Sequence, residues 1–164
     1  MNLLRFLICS TVILNCNAFL PHIPKKIILL GMPQVGQTTL GKTLNTFTGI
    51  PFHDTRTFFT IEKTHNTLLK EESELIKKIT TTTSFIVATS SSFIDLRENV
   101  DLLISLKKND VLVVFIDRNE GRPFLNFKWN NIYFRRKRIM KDLATKTYTN
   151  TKNPLYFISW LIQN

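Results

Sequence analysis

The sequence predicts an α/β domain of three layers (αβα), with a parallel sheet of about five strands between two layers of helices. Short apolar runs of strand length alternate along the chain with longer segments whose apolar residues recur at helical spacing. Such alternation is typical of a parallel sheet covered on both faces. A loop containing two glycines also joins the first apolar run to the first helical segment. The 164 residues are enough for one such domain.

The individual elements follow from apolar periodicity and from helix-breaking residues. The run at residues 26–30 (KIILL) is almost wholly apolar, which suits a strand buried on both faces. Gly49 and Pro51 end the first helix, and Pro154 opens the last one. We expect strands at residues 26–30, 52–54, 84–89, 111–116 and 147–149, and helices at residues 38–47, 57–79, 95–106, 128–143 and from 154 onward.

The composition indicates a folded, basic protein. Hydrophobic residues make up 43% and charged residues 21%, as in ordinary globular domains. Lys and Arg number 22 against 12 Asp and Glu, which gives a formal charge of +10. This balance favours anionic partners such as nucleotides, phosphorylated metabolites, nucleic acids or anionic membranes. A solvated basic surface without a partner is the alternative.

Residues 1–18 have the pattern of a secretory signal peptide. Arg5 supplies the positive charge, an apolar run covers residues 6–14, and small residues precede a cleavage point before Phe19. The apolar run is too short for a transmembrane helix, so we expect no membrane anchor after cleavage. Both cysteines lie in this segment, so the cleaved chain would have no disulfide and no cysteine metal site. A buried N-terminal strand or helix is the alternative.

The sequence around the cleavage point also resembles a plastid presequence. Residues 17–21 (NAFLP) are similar to the phenylalanine-containing cleavage site of precursors in which a signal peptide leads into a transit peptide. Such a presequence would extend to about residue 25, and the folded domain would cover residues 26–164. We therefore expect a plastid location, with secretion as the alternative. The lack of any Asn-x-Ser/Thr sequon disfavours a heavily glycosylated extracellular protein.

The loop after the first predicted strand has the pattern of a phosphate-binding loop (P-loop), GMPQVGQTT. Glycines let the backbone curl so that successive N–H groups and the following helix N-terminus surround phosphate oxygens. A hydroxyl at Thr38 is placed to hold Mg²⁺. A simple glycine turn is the alternative. The expected nucleotide-binding residues are Gly31, Val35, Gly36, Gln37, Thr38 and Thr39.

Gln37 occupies the position where this motif has a lysine. A glutamine amide donates hydrogen bonds but carries no charge. A lysine there would place a positive charge on the β and γ phosphates. We therefore expect weaker ATP·Mg²⁺ binding, and a larger deficit in stabilising the charge that develops during phosphoryl transfer.

With this loop and the motifs that follow it, the chain resembles the shikimate kinases from about residue 26 to the C-terminus. That family uses ATP and Mg²⁺ to phosphorylate the 3-hydroxyl of shikimate in aromatic amino-acid synthesis. Residues 51–56 (PFHDTR) are similar to the family's Phe-x-Asp-Thr-Asp motif. The resemblance implies that Asp54 lies near Mg²⁺ and takes part in catalysis. Capping of the next helix is the alternative role for Asp54.

Several substrate positions of the family are replaced. Arg56 stands where the family has its second aspartate, which grips substrate hydroxyls and is the best candidate for a catalytic base. Leu69 stands where an arginine binds the shikimate carboxylate. Ser90, Ser91 and Ser92 replace three glycines, and the resemblance places them at the substrate.

Two arginines match family positions. Arg122, in a shortened motif similar to the family's lid, is implied to reach the ATP phosphates and to act in catalysis. Arg136 falls on the second arginine that binds the shikimate carboxylate. Its basic neighbours at residues 135, 137 and 138 leave an ordinary basic helix face as the alternative.

Three functions remain open from the sequence. The first is a shikimate kinase-like protein with impaired or lost kinase activity that acts as a nucleotide-binding or regulatory module. The second is an active small-molecule kinase of this family in which the substrate is changed or the contacts are rebuilt, acting on shikimate or another small anionic substrate. The third is a basic interaction module for nucleic acid or a membrane surface. The sequence has no recognised RNA- or DNA-binding motif, which makes nucleic acid the weaker choice.

Overall fold

The computed structural model describes residues 23–58, 63–118, 127–151 and 153–164. The predicted signal peptide, its cleavage point and Arg122 lie outside these residues. Within the described ranges, no helix combines the length and the apolar character needed to cross a membrane.

Five parallel strands form one sheet. The strands are β1 (Lys26–Gly31), β2 (Phe52–Asp54), β3 (Phe85–Ala88), β4 (Leu112–Asp117) and β5 (Lys146–Thr149). Their order across the sheet is β2-β3-β1-β4-β5, so β1 lies at the centre. β1 is paired with β3 on one side and with β4 on the other, and Gly31 at its end is level with Ile116. The predicted parallel sheet of about five strands is confirmed.

Within the described residues, five α-helices connect or follow the strands. They are α1 (Gln37–Thr48), α2 (His65–Thr80), α3 (Arg97–Lys108), α4 (Phe127–Leu143) and α5 (Pro154–Gln163). Right-handed crossovers place α1 on one face of the sheet and α2, α3 and α4 on the other. α5 packs against α1, and α4 packs against α3. The result is the predicted three-layer αβα architecture.

The core lies on both faces of the central strands. Residues 27–30 of β1 and 113–116 of β4 are fully buried, which is why these runs carry no polar residue. α1 approaches β2 closely at Gly41, where a Cβ would come within 2.1 Å of the Phe52 ring. A glycine is therefore required for α1 to lie this near the sheet.

Two short 3₁₀ turns lie where the sequence predicted the first residues of α-helices. Thr55–Phe58 forms one turn, and α2 begins only after Thr64, whose hydroxyl caps it by accepting a hydrogen bond from the Thr67 amide. Phe93–Asp95 forms the other turn, and α3 follows from Arg97. The first turn directly follows the carboxyl end of β2, and the second lies in the segment that leaves the carboxyl end of β3. Open α/β sheets bind their ligands at this end.

Candidate functional site

The phosphate loop, residues 31–38, leaves the end of β1 and turns into α1. Gln34 and Gly36 both have positive φ, at 68° and 95°. The first α-helical hydrogen bond joins the Leu40 amide to the Gly36 carbonyl at 3.0 Å. The preceding amides of the first turn have no partner within the helix, and Gly36 offers no side-chain cap. The backbone therefore has the curled path and the exposed helix N-terminus that suit an anion.

Two side chains that follow other strands of the sheet donate hydrogen bonds to this loop. The amide of Asn150, just after β5, donates to the Val35 carbonyl at 2.7 Å. The same amide nitrogen would lie 2.5 Å from a Cβ at Gly36, so only glycine fits there. Arg118, after β4, donates to the Gln34 carbonyl at 3.3 Å. Neither Asn150 nor Arg118 was expected from the sequence.

Gln37 points into the protein beneath the loop. Its side chain is only 3% exposed. Its amide donates to the Leu29 carbonyl at 2.9 Å and to the Thr89 carbonyl at 3.5 Å, which joins the ends of β1 and β3. These bonds satisfy the amide inside the fold. Gln37 therefore supplies neither a charge nor a free donor to the loop in this arrangement.

Asp54, Arg56 and Thr38 form one hydrogen-bonded cluster beside the loop. The Arg56 Nε and Nη2 donate to the two Asp54 carboxylate oxygens at 2.9 and 2.8 Å. The Thr38 hydroxyl donates to Asp54 Oδ2 at 2.6 Å and accepts a hydrogen bond from Arg56 Nη2. Burial by itself would raise the pKa of Asp54, but the hydrogen bonds from Arg56 and Thr38 and the charge of Arg56 hold it below its ordinary value.

This cluster does not suit Mg²⁺. The two residues that the sequence assigned to the metal, Thr38 and Asp54, already bind the Arg56 guanidinium. Among the described residues, no group of three or more His, Cys, Asp or Glu side chains could hold a metal ion. Asp54 also accepts a hydrogen bond from the Arg56 amide at 3.2 Å, so it shapes the local turn as well. The cation next to Asp54 in this structure is an arginine.

A buried carboxylate, Glu72 of α2, organises the loop after β3. Glu72 is fully buried. Its Oε1 accepts hydrogen bonds from the Thr55 hydroxyl at 2.5 Å and from the Ser90 amide at 2.6 Å, and its Oε2 accepts one from the Ser90 hydroxyl at 2.6 Å. Ser90 and Ser92 have hydroxyls 3.2 Å apart. The Ser90 side chain is thus used to anchor the loop.

Burial raises the pKa of Glu72 above its ordinary value, although the Ser90 and Thr55 hydrogen bonds and the charge of Arg56 oppose this rise. The folded chain therefore holds this proton more tightly than the unfolded chain does. The resulting stabilisation is complete below about pH 4.5, the ordinary pKa, and is lost as pH rises through the raised pKa. Asp54 has the opposite sign, but its lowered pKa confines its transition to pH values below about 3.8.

We therefore expect Glu72→Gln to flatten the pH dependence of stability above about pH 4.5. The stability of the wild type relative to this variant should fall as pH rises, because only the wild type has to ionise the buried group. Urea unfolding of both proteins across this range measures the difference. Glu74→Gln, at an exposed position of the same helix, is the control. A wild-type advantage that grows with pH would contradict the raised pKa.

Arg136 of α4 is brought to the same end of the sheet but is already paired. Its guanidinium binds both oxygens of Asp95, with Nε at 3.1 Å from Oδ1. Arg135 also donates to Asp95 at 3.1 Å, and His65 lies 3.7 Å from the same carboxylate. The Arg136 side chain is only 15% exposed, so it differs from an ordinary solvated basic face.

The remaining site predictions fare differently. Thr39 is exposed in the first turn of α1, and Ser91 is partly buried in the turn after β3. Leu69 is 2% exposed and belongs to the packed side of α2. The described residues thus bring the phosphate loop, Asp54, the serines and Arg136 to the carboxyl end of the sheet. Their roles in binding stay predictions.

Glu72 and Asp95 are the main residues of this region that the sequence analysis did not single out. For Glu72 a signal existed, because it lies three residues after Leu69 and four before Ile76, on the apolar side of α2. A carboxylate on a buried helix face needs hydrogen-bond donors. Asp95 gave no such signal, since its arginine partners are about 40 residues away in the sequence.

Several solved structures with a similar fold are small-molecule kinases. Shikimate kinase from Aquifex aeolicus vf5 superposes with a TM-score of 0.68 at 21% identity, covering 84% of this chain and 94% of that one. Shikimate kinase from Acinetobacter baumannii in complex with shikimate gives 0.68 at 20% identity, covering 90% and 94%. A gluconokinase from Sinorhizobium meliloti 1021 gives 0.56 at 12% identity, covering 87% and 91%.

Comparison by sequence found no match, whereas comparison by structure did. No protein-family model matches the chain, and no curated protein matches it. The strand order, the phosphate loop after the central strand and the superpositions over most of the chain agree with one another. The chain therefore has the P-loop α/β fold of the shikimate kinases.

Proposed function

We propose that this protein is a nucleotide-binding member of the shikimate kinase fold whose kinase activity is impaired or lost, and that it acts as a binding or regulatory module. The proposal rests on the position of the Gln37 side chain. Its amide is buried against the carbonyls of Leu29 and Thr89, so this position offers the phosphate loop neither a charge nor a free donor. The curled backbone and the open helix N-terminus remain, and these can bind a polyphosphate without either.

The position beside the loop where the resemblance implies a base does not supply one. At the position where the resemblance implies a catalytic aspartate stands Arg56, which is paired with Asp54. A guanidinium cannot accept a proton at neutral pH. Losing one electrostatic contact to a transition state costs about 10²–10³ in rate, and losing a general base costs about 10²–10⁴. Either loss alone would lower turnover severely.

The first measurement is nucleotide binding and turnover by the full chain. We expect ATP and ADP to bind, detected by calorimetry, and ADP release to stay at background with or without shikimate. Turnover above background would support an active kinase instead. Gluconate is a useful second substrate, because a gluconokinase shares the fold. Failure of both nucleotides to bind would overturn the proposal.

A matched pair of glycine variants locates the binding. Gly36 and Gly49 both have positive φ, at 95° and 73°, so alanine strains the backbone at either position. At Gly36 the new Cβ also meets Asn150, whereas at Gly49 nothing lies within 4 Å. We expect Gly36→Ala to abolish nucleotide binding and Gly49→Ala to retain it. If both variants kept the nucleotide affinity of the wild type, the binding would lie outside the loop.

A further inference from the structure

We propose that Arg56 takes the place of the divalent cation, so that this site binds the phosphates of a metal-free nucleotide. The inference rests on the proposed nucleotide binding, but one part of its test does not need a nucleotide. It follows from three features of the Asp54–Arg56–Thr38 cluster: its hydrogen bonds, its charge and the part of the guanidinium that has no partner among the described residues.

The hydrogen bonds use both oxygen groups that a metal would need. The Thr38 hydroxyl donates to Asp54 at 2.6 Å and accepts from Arg56. Both Asp54 oxygens accept from the guanidinium, at 2.9 and 2.8 Å. Mg²⁺ would have to displace Arg56 from all of these bonds, and bidentate arginine–carboxylate pairs are among the stronger contacts in proteins.

The charge of the cluster points the same way. Mg²⁺ gives up its water reluctantly and is usually held through carboxylates together with substrate phosphates. Here Asp54 is neutralised by Arg56, which leaves only the uncharged hydroxyl of Thr38. Hydrogen bonding to Asp54 raises the pKa of Arg56, so its positive charge persists at every physiological pH. A divalent cation next to it would be repelled.

The guanidinium still has donors to offer. Nε and Nη2 make the bonds to Asp54 and Thr38, while Nη1 has no hydrogen-bond partner among the residues that the structure describes. The side chain is 38% exposed. Because Arg56 touches Thr38 in the first turn of α1, its charge lies beside the open helix N-terminus. The Nη1 donors in this position are suited to a phosphate oxygen.

The nucleotide test compares binding of ADP and ATP to the full chain in excess EDTA and in excess Mg²⁺. For the wild type we expect affinities within about twofold of each other. For Arg56→Gln we expect metal-free binding to weaken about tenfold or more. Arg97→Gln removes the same charge from an exposed arginine on α3 and should behave like the wild type. Wild-type binding that needs Mg²⁺, or an Arg56→Gln variant that keeps full metal-free affinity, would overturn the inference.

A metal-binding test separates this inference from the proposed function. Water-proton relaxation with Mn²⁺ alone detects a bound ion without any nucleotide. We expect the wild type to bind no Mn²⁺ at Asp54, so the wild type and Asp54→Asn should give the same relaxation. Mn²⁺ bound by the wild type and lost in Asp54→Asn would refute the role of Arg56, whether or not nucleotides bind. If the wild type binds neither a nucleotide nor Mn²⁺ at Asp54, the proposed function fails together with the metal-free nucleotide binding, while the exclusion of the metal by Arg56 stands.

Discussion

Replacing Glu72 by alanine is expected to lower the free energy of unfolding by about 3–5 kcal/mol. The carboxylate is fully buried and accepts three hydrogen bonds, two from Ser90 and one from Thr55. Without it, the Ser90 amide loses its partner, and the hydroxyls of Thr55 and Ser90 keep only longer contacts with the Ala88 carbonyl and the Ser92 hydroxyl. A buried donor without a partner costs roughly 1–3 kcal/mol. Urea unfolding at fixed pH, analysed with a common m-value, measures the loss.

The control is Glu74→Ala on the same helix. Glu74 is exposed and forms only a surface ion pair with Lys77, so its loss should change stability by no more than about 0.5 kcal/mol. Glu72→Gln should lie between the two, because the amide keeps one acceptor. If Glu72→Ala were as mild as Glu74→Ala, the carboxylate would not be holding the loop after β3.

The second large effect concerns Gln37→Lys, which we expect to tighten ATP binding about tenfold, or roughly 1.4 kcal/mol. A lysine ammonium near the loop would add a charge-assisted contact to the phosphates. Without ATP the same ammonium would be buried among the carbonyls that now bind Gln37, which costs stability. The variant should therefore melt at a lower temperature alone and show a larger rise in Tm with ATP than the wild type.

A charge control separates this contact from a general increase in basicity. Thr46→Lys adds one positive charge at an exposed position farther along α1. It should leave both the affinity and the ATP-dependent rise in Tm almost unchanged. Equal tightening by both variants would indicate nonspecific attraction, and an unchanged affinity in Gln37→Lys would mean that the loop does not bind phosphate.

The sheet was predictable because each strand has its own local signal. The apolar run of β1 and the glycine loop after it indicate a buried strand followed by a helix, and the structure confirms both. The start of α2 was set too early, since Thr64 caps the helix but is one of many threonines in the sequence. Local periodicity does not reveal which hydroxyl finds an amide to cap.

The site was only partly predictable, because its contacts join distant segments. Residues such as Thr38 and Asp54 could be chosen from their motifs, but not the guanidinium that lies between them. The resemblance to the shikimate kinases implied that Arg56 replaces an aspartate, so that the base expected there is missing. It did not show that Arg56 folds back onto its neighbour two residues earlier, which depends on how the turn after β2 is packed.

The pairing of Arg136 with Asp95 has a consequence for any small carboxylic acid that approaches this site. Asp95 belongs to the same molecule and binds the guanidinium through both oxygens, so it acts as a tethered competitor. Tethered groups commonly have effective concentrations in the millimolar range. A free monocarboxylate at micromolar concentration would lose this competition, and a ligand that reaches Arg136 has to draw its affinity from other contacts.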